Sequence, residues 1–347
     1  MNQRIYRGGI IGLGFIGGAD QISGDALNQR VVDLDGTHLV AMQNHPRIEL
    51  VAGSSRDGGR RERFEKRTSA RSYEDWQQML ERESLDVVSI ATYAPQHAEM
   101  AVRCAEQRVG AVWCEKPISP TLDEAERMVA ACQQANTLLV INHNRRFHSV
   151  FRKLRDAVAD GLLGELTSVG LQWGSGRLGN VGTHMFNGLC MLTGRRVVAA
   201  SARLDLSRRP DCRGPEFADP GGWGWLRLED DLMASFDAAD FAQVPGTITL
   251  NGSLGRATTG VHDSQLEFWD GKRDHWQRGP DEPSSMDVAA AEIVTALDGT
   301  RPLEDDALDS VHTLETIVAC HASHQRQSAW VSLPLTGADR ELEVQSG

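Results

Sequence analysis

Three glycines near the start of the chain have a spacing suited to holding a phosphate. Gly12-Leu13-Gly14-Phe15-Ile16-Gly17 reads Gly-x-Gly-x-x-Gly directly after an apolar run. In that pattern the first glycine allows a tight turn and the second lets backbone approach a pyrophosphate. The third lets helix and strand pack closely. Backbone N–H groups at the turn, including those of Phe15 and Ile16, then face the anion. A plain glycine turn is the alternative. The strand and helix signals that alternate from there to residue 142 favour the dinucleotide.

The second strand refines the cofactor. A carboxylate about 20 residues past the glycines usually holds the ribose hydroxyls. Asp33 and Asp35 lie near that distance, but 31–34 is too short and polar-flanked to be a strand. Residues 48–55 are a much better one, and they end on Ser54-Ser55-Arg56. A hydroxyl and a guanidinium, Ser55 and Arg56, suit a 2′-phosphate, which favours NADP over NAD. A solvated Arg56 beside Asp57 is the alternative. Residues 18–37 then form an insertion. With Gly24 and Gly36 as hinges it would fold over the cofactor or substrate; otherwise it is a surface excursion or an oligomer contact.

The elements that must position these residues fall into two sets. Strand-like runs at 8–12, 48–55, 86–92, 110–116 and 138–142 are separated mostly by helical patterns, the clearest starting at Thr121 with a Thr121/Glu124 capping box. They imply a doubly wound parallel sheet. From residue 149 the pattern changes. A helix at 149–160 leads to strand-like runs at 165–173, 196–206, 224–229, 232–238, 247–251 and 265–270, joined by short turns that suggest an antiparallel sheet. Helices are expected at 182–192, 286–298 and 305–325. The α/β chain thus divides into a dinucleotide-binding domain, 1–142, and a substrate and oligomer domain, 143–347.

A length of 347 residues suits two domains, and 40% apolar with 24% charged residues suits a globular protein. A net charge of −12 disfavours nucleic acid and anionic membranes as partners. No apolar stretch is long enough to span a bilayer, and 1–9 does not read as a signal peptide. Six scattered cysteines, Cys212 among them, suggest reduced thiols in a cytoplasm. His321 and His324 lack a third ligand nearby in sequence, so no metal is expected.

Glu115-Lys116-Pro117 closes the strand at 110–116, at the edge where ligands bind in such sheets. With the glycines, it resembles the Gfo/Idh/MocA oxidoreductases, named for glucose–fructose oxidoreductase, inositol dehydrogenase and a rhizopine-catabolism protein. Thr92 and His97 before a helix, Arg145-Arg146-Phe147, Gly161-Leu162-Leu163-Gly164-Glu165, Gly182-Thr183-His184 and the terminal Val331-Ser332-Leu333-Pro334-Leu335 extend the resemblance over about 9–335. It implies a Rossmann domain followed by an α/β domain with a large open antiparallel sheet, here joining a homodimer or homotetramer. It implies a lysine beside the nicotinamide, Lys116, with Glu115, Pro117, Thr92 and His97 around the cofactor. It further implies a histidine on a second-domain helix, His184, and a substrate contact at Arg145. Many members carry aspartates where this chain has Asn180 and Asn187, and Thr-Pro-Asn where it has Thr92-Tyr93-Ala94.

Oxidising a carbinol removes a hydride and a proton, so its oxygen needs a partner that can take the proton. Lys116 has that chemistry. With Thr183 as N-cap, His184 sits in the first turn of its helix, where the dipole keeps imidazole neutral. Asn180 and Asn144 can orient a hydroxyl but cannot titrate. Arg145 reads equally as an interdomain ion pair. Trp173, before Gly174-Ser175-Gly176, is either a stacking wall for a sugar or a packed strand residue. The expectation is an NAD(P)-dependent oxidoreductase acting on a sugar, cyclitol or sugar derivative. A redox-assisted glycosidase, marked by no net cofactor turnover, and a non-catalytic sugar-sensing protein are the alternatives.

Overall fold

In this computed structural model, residues 4–207, 217–240, 242–301, 303 and 307–346 are described. Cys212, Asp305 and the first three residues lie outside them. The described part forms two compact units. One is built from 1–119, 124–144 and 283–308; the other from 120–123, 145–282 and 309–347. The single cut expected at 142/143 therefore becomes two interleaved sets of segments.

The first unit is a six-stranded parallel sheet. Its strands are β1 (Tyr6–Ile11), β2 (Ile48–Ser54), β3 (Arg71–Tyr73), β4 (Val87–Ile90), β5 (Ala111–Cys114) and β6 (Leu138–Ile141), in spatial order β3-β2-β1-β4-β5-β6. β4 and β5 are buried at every position, which suits strands covered on both faces. The order reverses between β1 and β4, and ligands of doubly wound sheets bind beyond the carboxyl ends at such a point. The helix Ser285–Leu297 belongs to this unit, although the sequence reading gave it to the second domain. Ser284 and Asp287 cap it reciprocally. Asp298 just past its end accepts from Tyr6 Oη at 2.8 Å and from both Nη atoms of Arg47.

The insertion is pinned at both ends. Asp20 is 2% exposed and holds the Arg63 guanidinium through two bonds of 2.6 and 2.9 Å. Gly24 lies against the Phe15 ring, where a Cβ would come within 2.7 Å. A Cβ at Gly36 would sit 2.7 Å from Ser284 Oγ, while Asp35 accepts from the Ser285 N–H. Gly24 and Gly36 are thus sites of close approach rather than hinges.

The second unit carries a nine-stranded sheet of β7 (Leu166–Gln172), β8 (Val197–Leu204), β9 (Gly222–Leu228), β10 (Met233–Ala238), β11 (Thr247–Gly252), β12 (Gly255–Thr259), β13 (Asp263–Phe268), β14 (Arg273–Gln277) and β15 (Val331–Ser332). Their order is β14-β13-β12-β11-β7-β10-β9-β8-β15. The sheet is mixed rather than wholly antiparallel: β7 and β10 run parallel, with Ala234 beside Val169. The cause is the helix Thr183–Thr193, which carries the chain from β7 to β8 in the same direction; two antiparallel steps through β9 then return β10 to the side of β7.

β15 has only two residues, so the helix Ala307–Gln325 serves much of the edge of β8. Val197, Ala202 and Leu204 donate their N–H groups to His312, Ser323 and His324. On the same helix, His321 Nε2 is buried with no hydrogen-bond partner. Desolvation, helped by nearby His324, pushes its pKa down to about 4. Below an unfolded value near 6.5 the unfolded chain binds the proton and the folded chain does not. Stability should be constant above that pH, fall by up to about 3 kcal/mol between pH 6.5 and 4, and level off below. In urea titrations across that range, His321→Leu should flatten the decline; an unchanged slope would show that His321 does not cause it.

Candidate active site

The glycine turn is dictated by contact. Gly12 has φ +100°, and a Cβ there would lie 2.4 Å from the Ala91 carbonyl oxygen; one at Gly17 would lie 2.0 Å from the Gly12 oxygen. Gly14 is different, since the nearest atom to a Cβ there would be Arg60 Nη1 at 3.7 Å. Two glycines therefore permit packing, and the middle one leaves backbone open beside a guanidinium. The helix after the turn spans only Phe15–Gly18, because the insertion interrupts it, and so short a helix supplies little dipole.

Sequence reasoning missed Arg60. It stands in the first turn of the helix Gly58–Arg67, whose N-cap Asp57 accepts from the Arg60 N–H. Arg63 and Arg67 are tied to Asp20 and to the Ala19 carbonyl, whereas the Arg60 side chain makes no hydrogen bond. The signal was present: an Asp at a strand end, three residues before an arginine, places that arginine at a helix start. Arg56 is exposed, and the part-exposed Ser55 Oγ accepts from the Asp57 N–H. Phe15 turns its ring into the insertion, leaving its backbone toward the turn, and Ile16 is part-exposed.

Beyond β4 and β5, two loops are strutted together. His97 is fully buried, with Nδ1 2.9 Å from the Pro117 oxygen and Nε2 3.1 Å from the Thr92 oxygen. Burial lowers its pKa, and a neutral ring can donate to only one of the two carbonyls. His97 and Thr92 thus fix loop shape. Glu115 also works inward: its Oε1 accepts from Asn142 Nδ2 at 2.5 Å and lies 3.0 Å from His38 Nε2. Asn142 in turn accepts from Trp113 Nε1, and the His38 ring lies 4.2 Å from that indole. Burial raises the Glu115 pKa, but His38, Lys116 and Asn142 outweigh it and hold the carboxyl below its usual range. Lys116 follows, part-exposed, joined to Pro117 by a cis peptide.

In the second unit His184 is part-exposed near the start of Thr183–Thr193. Thr183 does not cap that helix. A π-turn, Leu178–Gly182, runs into it with Gly182 helical, so His184 does not sit at a free helix end and the dipole argument for its neutrality fails. Asp219 accepts from the N–H groups of Gly179 and Asn180 at 2.7 and 2.8 Å and anchors the turn. Asn187 is spent on structure, accepting from Arg146 Nε and donating to Thr313. Trp173 offers no wall to a sugar: it is 1% exposed, stacked on Phe236 and edged by Phe186, with its N–H bonded to the Gly176 carbonyl. Asn144 and Arg145 are both part-exposed in the turn Asn144–Phe147. Among the described residues no His, Cys, Asp and Glu cluster could hold a metal, and no helix is long and apolar enough to cross a membrane.

Residues 6–143 match the family GFO_IDH_MocA, described as an oxidoreductase family with an NAD-binding Rossmann fold. Over 157 residues the chain is 30% identical to a myo-inositol 2-dehydrogenase of Thermotoga maritima, a match covering 45% of this chain and 42% of that one. The match thus spans less than half the length of that relative. A levoglucosan dehydrogenase of Pseudarthrobacter phenanthrenivorans is 25% identical over 287 residues, 74% of this chain and 71% of the other. Among solved structures, an inositol dehydrogenase homolog from Azotobacter vinelandii, complexed with NADH and myo-inositol, superposes with a TM-score of 0.79 at 19% identity, covering 95% of this chain and 98% of that one. That likeness is one of fold.

The network behind Lys116 can be probed through His38. His38→Leu leaves Glu115 Oε1 without one of its two partners and should cost on the order of 3 kcal/mol. Glu115→Gln, which keeps an amide to bond, should cost less. Chemical denaturation of both variants checks the order, and an equal or smaller loss for His38→Leu would refute it.

Proposed function

We propose that this chain, whose residues 6–143 match the Gfo/Idh/MocA oxidoreductase model, is a member of that family and moves a hydride between a nicotinamide and a carbinol carbon of a sugar, cyclitol or sugar derivative. One observation carries the reading: Lys116 projects from a backbone braced by Glu115 beyond β5, on the same sheet edge as the glycine turn beyond β1.

The turn fits a dinucleotide, because the cradle at Gly12 and Gly17 would be filled by any Cβ while Gly14 stays open. When bound, the nicotinamide gives or accepts the hydride. In the oxidative direction Lys116 bonds the carbinol oxygen and takes its proton, with His184 sharing that work. Asn144, Arg145 and Asn180 hold the substrate. NADP is favoured over NAD by Ser55, Arg56 and, above these, Arg60, a guanidinium without a hydrogen bond of its own that suits a ribose 2′-phosphate.

Two further parts belong to the same proposal. Trp223 and Trp225 are 39% and 54% exposed on β9, and they suit a homodimer or homotetramer joined through the second sheet. Light scattering that shows a monomer would refute this. The five described cysteines are free thiols, in keeping with a cytoplasmic location.

Lys116→Met should lower turnover at least about 100-fold on an accepted polyol, read at 340 nm with cofactor still bound. Near-normal turnover would overturn the assigned mechanism. Arg60→Ala should weaken NADP(H) binding about tenfold or more, the loss of one charge-assisted contact, and affect NAD(H) far less. Titration of the wild type showing tighter NAD(H) binding would defeat the NADP assignment.

A further inference from the structure

Two consecutive arginines in the second unit are treated in opposite ways. Arg146 is fully engaged: its Nε donates to Asn187 at 2.8 Å and its Nη2 to Asp309 at 2.7 Å. Arg145 has nothing comparable. Its Nη1 lies 2.9 Å from the Met185 sulfur, and its guanidinium carbon sits 5.6 Å above the Phe151 ring. Two glycines also lie close to it. A Cβ at Gly246 would come 3.7 Å from Nη2, and one at Gly188 would come 3.9 Å from Cδ. Among the described residues no carboxylate bonds to this cation, and burial alone lowers its pKa, to about 10. Arg145 therefore stays charged at neutral pH, part-exposed, with apolar neighbours and no bonded carboxylate among the described residues to neutralise it. A charge left so is a standing demand for an anion. Met185, whose sulfur it touches, is the residue after His184.

We propose that Arg145 is the anchor for an anionic group, a carboxylate or a phosphate, on the substrate, so that the sugar or cyclitol derivative taken by this chain is an acid or a phosphate ester. The inference rests on the dehydrogenase reading for the identity of the ligand as a substrate; the anion site itself rests on Arg145. The planar guanidinium suits bidentate capture of either group, and its part exposure lets a ligand reach it. A neutral polyol would leave the cation as poorly compensated as before. The anion would thus raise affinity and also fix which carbon is offered to the hydride.

The test uses matched neutral and anionic probes: D-glucose, D-glucuronate and D-glucose 6-phosphate, with the corresponding galactose series. Each is assayed at 340 nm with NADP and bound by calorimetry to the full-length, dinucleotide-loaded protein. An anionic member should exceed its neutral congener in kcat/KM or affinity by about tenfold or more, the worth of a charge-assisted contact. Whichever arm responds names the group as carboxylate or phosphate. Arg145→Met should abolish that advantage and Arg145→Lys should keep part of it, both with unchanged NADP(H) affinity and an unchanged or higher Tm. Turnover of neutral members with no preference for the anion would overturn the inference and leave the dehydrogenase reading standing. Arg145-dependent binding of an anion with no hydride transfer would uphold the anion site and remove the dehydrogenase reading. Neither turnover nor binding of any anionic member, or a clear drop in Tm for Arg145→Met, would overturn the inference.

Discussion

The carboxylate of Glu115 is the constraint on which the first unit depends. It stands where β5 ends, and it is gripped by His38, the first residue of the helix His38–Asn44, and by Asn142, at the end of β6. Three segments distant in sequence are thereby fixed at one corner of the sheet. Burying that charge is costly, and the cost is tolerable only because hydrogen-bond donors converge on it. The adjacent loop gains a second fixed point where His97 bridges the Thr92 and Pro117 carbonyls. Lys116 thus stands between two clamped neighbours, the rigid support that its proposed acid–base role requires.

Charge compensation separates the arginines that are bonded to a carboxylate from the two proposed to meet a ligand. Arg63 closes on Asp20, Arg47 on Asp298 and Arg146 on Asp309. In each case a carboxylate balances the guanidinium within hydrogen-bonding distance. Arg60 and Arg145 break the pattern, one beside an open glycine turn and the other beside the residue after His184. Neither guanidinium is bonded to a carboxylate among the described residues.

What the sequence reveals follows from how local each requirement is. The glycine turn was legible because its contacts demand the absence of a Cβ, and only glycine meets that demand. β2 was legible at 48–54 because its apolar run Leu50-Val51-Ala52 after Ile48 cannot be mistaken for the polar stretch before it. Arg60 was hidden because its role depends on the helix start set by Asp57. His38 and Asp219 were hidden because their partners lie 77 and 40 residues away in sequence. Trp173 reads in the sequence as either a sugar-stacking wall or a packed strand residue; its burial among Phe236, stacked on it, and Phe186, at its edge, decides for packing. The parallel pairing of β7 and β10 likewise follows from a helical crossover whose return path no local pattern records.

The helix Ser285–Leu297 has a consequence for the order in which the molecule comes into being. It completes the first unit, where Asp298 receives Tyr6 and Arg47, and Asp287 receives Asn44. A ribosome releases the six parallel strands long before it makes this helix, and the chain emerges at roughly 5–20 residues per second. For many seconds the nascent Rossmann half must wait with Tyr6, Asn44 and Arg47 lacking their partners in and just past that helix. The second unit grows meanwhile, and β7 waits in turn for β10, more than sixty residues downstream. Neither half can finish on its own schedule. Translation therefore leaves this chain exposed to chaperones and proteases over a longer interval than two tandem domains of the same size would need.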